Sequence, residues 1–201
     1  MTLRTVLHAF IVAGGLVIIG LTPADAVESI QELKSACEKG SASACASLGR
    51  MYMEGKVASQ DDAQSVKFSR KACLGRNMVG CTNLGRMYEL GRGVEKDHFQ
   101  GVKLYHQACE GGEPMGCNNL GFMYQNGDAV DPDMTQAREL FRKSCDGGIA
   151  LGCNHLGVIY LRGIGVRKDT TESLEYYRKA CNLGDTESCV DASWLKKGKL
   201  Y

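Results

Sequence analysis

The sequence predicts an all-α protein, a right-handed α/α superhelical solenoid of 36-residue repeats, each stapled by a Cys-x7-Cys disulfide. Three observations predict it. The ten cysteines fall in five pairs: Cys37 and Cys45, Cys73 and Cys81, Cys109 and Cys117, Cys145 and Cys153, Cys181 and Cys189. They stand eight apart within every pair and 36 apart between pairs. The neighbouring residues keep that register: Asn83-Leu84-Gly85-Arg86-Met87-Tyr88 returns as Asn119-Leu120-Gly121-Phe122-Met123-Tyr124, then as His155-Leu156-Gly157-Val158-Ile159-Tyr160. An earlier copy is Ser47-Leu48-Gly49-Arg50-Met51-Tyr52. Between these blocks recurs a glycine-led turn, Gly91-Arg92-Gly93-Val94-Glu95-Lys96-Asp97 and Gly163-Ile164-Gly165-Val166-Arg167-Lys168-Asp169. A period of this size marks stacked units that bury a core only against their neighbours.

The first 26 residues read as a secretory leader. Arg4 supplies the positive start, Val6 to Leu21 the apolar stretch, and Pro23 the break. Ala24-Asp25-Ala26 places small residues at the cleavage site, so removal after Ala26 is expected, leaving no membrane span. The solenoid then occupies residues 27–201: an opening helix over 28–38, units at about 41–76, 77–112, 113–148 and 149–184, and a closing helix over 186–200.

Each unit reads as two helices. Helix A starts about two residues before the second Cys of a pair and ends near the Tyr; helix B ends at the first Cys of the next pair. The Gly opening each turn suits the left-handed residue that ends a helix. The closing Asp suits an N-cap, and Gln64, Gln100, Gln136 or Glu172 three residues later completes a capping-box pattern. Gly49, Gly85, Gly121 and Gly157 lie inside helix A, where each costs about 1 kcal/mol relative to Ala. Their recurrence predicts close approach of helix A to the following helix B. Tyr52, Tyr88, Tyr124 and Tyr160 are expected in the core.

The cysteine spacing has a geometric meaning. Residues eight apart on one continuous helix stand about 12 Å apart, beyond disulfide reach. A turn between them allows bridging, and Gly40, Gly75, Gly111, Gly147 and Gly184 stand there. Each pair is therefore expected to join the end of helix B to the start of the next helix A. Zinc is the competing use, but close C-x2-C pairs are absent, as is C-x-x-C-H for haem. No metal and no cofactor are expected. Export makes the disulfides permissible, so a periplasmic or secreted location is expected.

The formal charge of +1, from 24 Lys+Arg against 23 Asp+Glu, excludes a strongly basic nucleic-acid binder. The string Gly-Cys-x-Asn-Leu-Gly-x-Met-Tyr followed by Gly-x-Gly-Val-x-x-Asp at period 36 resembles the Sel-one-like repeats, relatives of tetratricopeptide repeats. The Cys-x7-Cys pair in every unit resembles the Helicobacter cysteine-rich protein (Hcp) family, also called the Hcp β-lactamase family. The first and third turns depart from the pattern by lacking the second Gly, and Ser47 stands where Asn is usual.

The resemblance implies two functions. The first is an exported, monomeric scaffold whose concave groove binds a protein or extended peptide, with a peptidoglycan stem peptide as one candidate. By analogy with peptide-binding tetratricopeptide repeats, the groove would be lined by Arg50, Asn83, Arg86, Asn118, Asn119, Phe122, Asn154 and His155. Asn serves a peptide backbone as both donor and acceptor, and Arg holds a carboxylate bidentately. The second is a penicillin-binding protein with weak β-lactamase activity on penicillins and cephalosporins. No catalytic residue is assigned for it. Its candidates are Ser193 and Lys196 of the single Ser-x-x-Lys, unaccompanied by Ser-Asp-Asn or Lys-Thr-Gly. His98, His106 and His155 show no His-x-His spacing for a metal enzyme.

Overall fold

The computed structural model describes residues 23–55 and 59–198. Among them are ten helices and no strand: α1 (Pro23–Glu38), α2 (Ala42–Glu54), α3 (Asp62–Leu74), α4 (Met78–Leu90), α5 (His98–Glu110), α6 (Pro114–Asn126), α7 (Met134–Asp146), α8 (Ala150–Arg162), α9 (Thr170–Asn182) and α10 (Thr186–Lys196). The even-numbered helices are the A helices and the odd-numbered ones the B helices. Consecutive helices pack against each other along the whole chain, as a solenoid requires. Successive A helices also touch, α2 with α4 and α4 with α6, more closely than any pair of B helices. The A helices therefore line the inner curve.

The ends differ from the sequence expectation. Helix α1 begins at Pro23, before the expected start and across the expected cleavage point; the rest of the leader lies outside the described residues. Helix α10 stops at Lys196, short of 200, because Gly198 adopts a left-handed backbone (φ 66°).

All ten cysteines are in disulfides, in the expected local pairing. Cys37 bridges to Cys45 with the Cα atoms 4.9 Å apart, Cys73 to Cys81 at 4.5 Å, and Cys109 to Cys117 at 4.5 Å. Cys145 bridges to Cys153 at 4.6 Å and Cys181 to Cys189 at 4.7 Å. Each bridge ties the last turn of a B helix to the first turn of the next A helix. Restricting so short a loop in the unfolded chain contributes about 2–3 kcal/mol per bridge on the chain-entropy account.

The A–B turn closes in a way the sequence shows only in part. Gly55, Gly91, Gly127 and Gly163 end the A helices in the left-handed conformation. Asp61, Asp97, Asp133 and Asp169 cap the B helices by accepting backbone N–H bonds. The reciprocal half of the expected capping box is replaced. The N–H of each capping Asp donates to the carbonyl of Tyr52, Tyr88, Tyr124 or Tyr160 at 2.9–3.1 Å. Satisfying that donor with backbone fixes the turn length, whatever residue stands at the Gln/Glu position.

Inside the layer, the helical glycines do what their recurrence predicts. A Cβ on Gly85 would meet the Tyr105 ring of α5 at 2.8 Å, and one on Gly157 the Tyr177 ring of α9 at 2.8 Å. Opposite each glycine the B helix presents a small residue. Ser65 and Ser173 donate hydroxyl bonds to the Gly49 and Gly157 carbonyls at 2.9 and 2.8 Å. Gly101 and Ala137 hold the same register in α5 and α7. The rings that fill the core come from the B helices: Tyr105, Phe141 and Tyr177 are buried. The A-helix tyrosines are only half-buried, which corrects the expectation of core positions. They sit in the last turn of helix A, where the chain leaves the layer. Tyr52 stacks on Phe68 at 5.8 Å and Tyr160 on Tyr176 at 5.6 Å.

Repeat order is marked at the turns. Arg92 of the second turn forks onto Asp62 of the preceding α3 and donates to the Met53 carbonyl at 3.1 Å. At the same register Asp128 faces His98 at 3.9 Å, and the next repeat holds Ile164 and Met134 there.

Two substitutions test this packing. Gly121→Ala places a methyl 2.9 Å from the fully buried Phe141 ring and 3.2 Å from the Ala137 carbonyl. The overpacking cost of about 1–3 kcal/mol exceeds the helix-propensity gain of about 1 kcal/mol, so thermal melting of the oxidised protein should show a lowered Tm. Ala129 occupies the second-glycine position of the third turn with φ 59°. Relief of left-handed strain, about 1–2 kcal/mol, outweighs the added chain entropy of about 0.5–1 kcal/mol, so Ala129→Gly should raise the Tm.

Candidate functional site

Residues at one repeat position form a row across the A helices, and rows four and seven residues apart lie on the same helix face. Three rows build a cleft of about 540 Å³ on the inner curve. The first is Val79, Met115 and Leu151, near the N-termini of α4, α6 and α8. One turn further along lie Asn83 and Asn119. Another turn on lie Arg50 and Arg86. The cleft thus has an aliphatic edge, an amide floor and a charged edge where Arg50 and Arg86 stand beside Glu54 and Glu89, the outer rows about 10 Å apart along the helix axis.

The amide floor is unusual. Asn83 is 8% exposed, yet its Nδ2 has no hydrogen-bond partner among the described residues. A buried donor left unmade costs about 1–3 kcal/mol. Beside it, Tyr105 donates its hydroxyl to Glu89 Oε2 at 2.5 Å. Burial, and then the Glu89 carboxylate, push the Tyr105 phenol well above its usual range, so it is a fixed donor at any ordinary pH. The carboxylates lining the cleft are engaged: Glu89 by Tyr105, Glu113 by the Met115 N–H at 3.3 Å, and Glu54 by other contacts. Arg50 and Arg86 are exposed, and neither makes an ion pair among the described residues.

The eight groove residues expected from sequence divide three ways. Arg50, Asn83, Arg86 and Asn119 converge on the cleft. Asn118 and Asn154 lie outside the residues that line the cleft. Asn118 is 6% exposed and contacts Asn119 at 3.5 Å; Asn154 donates to Ser188 Oγ at 2.9 Å and reaches Asp185 of the capping turn before α10 at 3.5 Å. Asn154 thus reaches the next repeat, whereas Asn118 is buried beside its own neighbour in α6. Phe122 and His155 form a separate aromatic group. His155 stacks on Phe141 at 4.5 Å and lies 6.3 Å from Phe122. The aliphatic row escaped the sequence reading, although Val79, Met115 and Leu151 repeat at 36 residues two places before the cysteine.

The Ser-x-x-Lys lies on α10, outside the residues that line the cleft. The Ser193 hydroxyl donates to the Val190 carbonyl at 2.8 Å, a bond within its own helix, and Lys196 is exposed. Among the described residues no group of His, Cys, Asp and Glu is arranged to hold a metal, and no helix is long and apolar enough to cross a membrane.

Stacked helix pairs, local disulfides and a polar inner cleft define a helical-repeat scaffold. Comparison with known proteins supplies the family. The profile of the Sel1 repeat matches residues 42–77, 79–113, 114–149 and 150–185, and the chain belongs to the Sel1-repeat family. Its fold is similar to a protective antigen, c5321, present in uropathogenic Escherichia coli strains and displaying an SLR fold: TM-score 0.74, 31% identity over 85% of this chain. This chain spans 37% of that antigen's length. A Sel1 repeat protein from Oxalobacter formigenes matches with TM-score 0.72 and 25% identity, over 83% of this chain and 73% of that one. Cysteine-rich protein B (HcpB) of Helicobacter pylori is 31% identical over 68% of this chain and 98% of its own, with TM-score 0.53. Among curated proteins nothing matches.

Burial pushes the His155 imidazole below its ordinary pKa. The unfolded chain therefore takes up that proton first. Stability should be constant above pH about 6.5 and fall as the pH drops from there towards the lower folded value. Thermal melts between pH 8 and 5 should show this decline, and His155→Phe should flatten it.

Proposed function

We propose that this chain is an exported scaffold that binds an extended peptide or protein segment in the concave cleft. The Sel1-repeat fold is one typical of protein–protein interaction, and five disulfides accord with an oxidising compartment outside the cytoplasm. The leader read at residues 1–26 supports the same location.

One observation carries the proposal to the cleft: the unpartnered, nine-tenths-buried amide of Asn83 on its floor. A peptide carbonyl is the acceptor that such a group needs, and Asn119 one repeat on offers the next contact. Arg50 and Arg86, neither in an ion pair among the described residues, add a site for a carboxylate. A peptidoglycan stem peptide carries both groups and is the candidate ligand in an exported setting.

The experiment is selection of displayed random dodecapeptides on the oxidised protein, with affinities of enriched peptides measured by fluorescence anisotropy. Peptides should be enriched, and Asn83→Ala and the double variant Arg50→Ala, Arg86→Ala should each weaken them about tenfold or more. Both variants should keep the wild-type Tm to within a few degrees. Absence of enrichment, or binding indifferent to both variants, would remove the cleft from the function.

A further inference from the structure

We infer that α10 is a self-association face, through which two copies of this chain pair in antiparallel orientation. The inference concerns the closing end of the solenoid and is independent of the ligand of the cleft.

The polarity of one row is reversed at this end. The residue just after the second cysteine of each pair is Ala46, Thr82, Asn118, Asn154 and then Val190. Thr82 and Asn118 are each 6% exposed, and Asn154 reaches from α8 to Ser188 of α10. Val190 holds the same position on α10, after which no A helix follows among the described residues, and it is 50% exposed. A solenoid end that meets only water carries a polar outer face. Here the row turns apolar at its open copy. One turn further on stands Trp194, the single tryptophan of the chain, 42% exposed. Ser188 and Ala192, on the opposite side of α10, are buried.

A following B helix does not fit α10 in the way it fits the other A helices. Ser193 stands in register with Gly49, Gly85, Gly121 and Gly157. A Cβ on Gly85, Gly121 or Gly157 would lie 2.8–2.9 Å from a ring of the following B helix. The Ser193 side chain therefore blocks that crossing, whether the B helix came from an added unit or were the α1 of another copy.

The charge pattern selects the partner. Glu187, Val190, Trp194 and Lys197 follow one another at steps of three, four and three, and so form one stripe of α10 and its C-cap. The stripe reads acid, apolar, apolar, base. Turned end for end it is its own complement. About a two-fold axis level with position 192, Val190 meets Trp194 of the second copy and Glu187 meets Lys197 of the second copy. A parallel pairing would instead set Glu187 against Glu187 and Lys197 against Lys197. Both charged residues are exposed, and neither makes an ion pair among the described residues. Beside the stripe, Asp191 adds to the acidic half and Lys196 to the basic half. Such an interface is isologous and closes at two copies. With one short helix from each copy it falls below the roughly 1,200 Å² of a standard interface, so the dimer is a weak one.

The test is sedimentation velocity on the oxidised protein from about 10 μM to about 1 mM, the range of a weak interface, with Trp194 fluorescence followed over the same range. Sedimentation should show a monomer–dimer equilibrium, and the Trp194 emission should move to shorter wavelength as the dimer forms. Val190→Asp should leave only monomer. Glu187→Lys and Lys197→Glu should each weaken self-association about tenfold or more, because each sets like charges across both junctions. Mixing these two variants should restore the dimer, because unlike charges then face each other at both junctions. All these side chains are exposed, and a retained Tm shows that a variant is folded. Four results overturn the inference: monomer throughout, which leaves the face to a different partner; a dimer that survives Val190→Asp; a dimer that leaves the Trp194 emission unchanged; and charge variants that do not recover on mixing.

Discussion

The contact on which the rest depends is the crossing of a glycine on helix A with a small residue on helix B: Gly49 with Ser65, Gly85 with Gly101, Gly121 with Ala137, Gly157 with Ser173. A bare glycine facing a small residue lets the two backbones approach closely enough for the Ser65 and Ser173 hydroxyls to reach the Gly49 and Gly157 carbonyls. The Tyr105, Phe141 and Tyr177 rings then lie over Gly85, Gly121 and Gly157, while Ser69 lies over Gly49. Each glycine sacrifices about 1 kcal/mol of helix propensity, and the buried Tyr105, Phe141 and Tyr177 rings return more than that in apolar area removed from water. Once this crossing is fixed at every unit, the pitch of the solenoid is fixed too.

Two further constraints hold the helix ends around that crossing. At one end a disulfide joins each B helix to the next A helix, and at the other the capping Asp donates its N–H to the tyrosine carbonyl of helix A. These elements repeat almost without change. What varies is carried by positions that face the turns or the inner curve. Arg92 with Asp62, His98 with Asp128 and Met134 with Ile164 give each junction a distinct combination, which distinguishes one repeat boundary from the next. On the inner curve the same logic sets a cationic row at α2 and α4 and an aromatic residue at α6.

This division of labour lets the cleft be polar in a protein that depends on close packing. Its walls are side chains that the solenoid does not need. Its floor carries an amide donor without a partner among the described residues, at a position where burial makes that costly. A scaffold of the Sel1-repeat family thereby presents rows of side chains on a frame that does not depend on them.

The sequence by itself determined the period, the helix pairs, the disulfide pairing from Cys37–Cys45 to Cys181–Cys189, the left-handed glycines and the aspartate caps. Each of these is a short-range requirement repeated in register. It also pointed to Arg50, Asn83, Arg86 and Asn119. Only the tertiary structure separated those four from Asn118, which is buried beside Asn119, and from Asn154, which turns to Ser188 of the next repeat. Only it moved the A-helix tyrosines to the edge of the core and brought Val79, Met115 and Leu151 into one wall. The physical reason is the same in each case. A period names the positions that are equivalent, but the angle at which one helix meets the next decides which of them face a neighbour and which face the cleft.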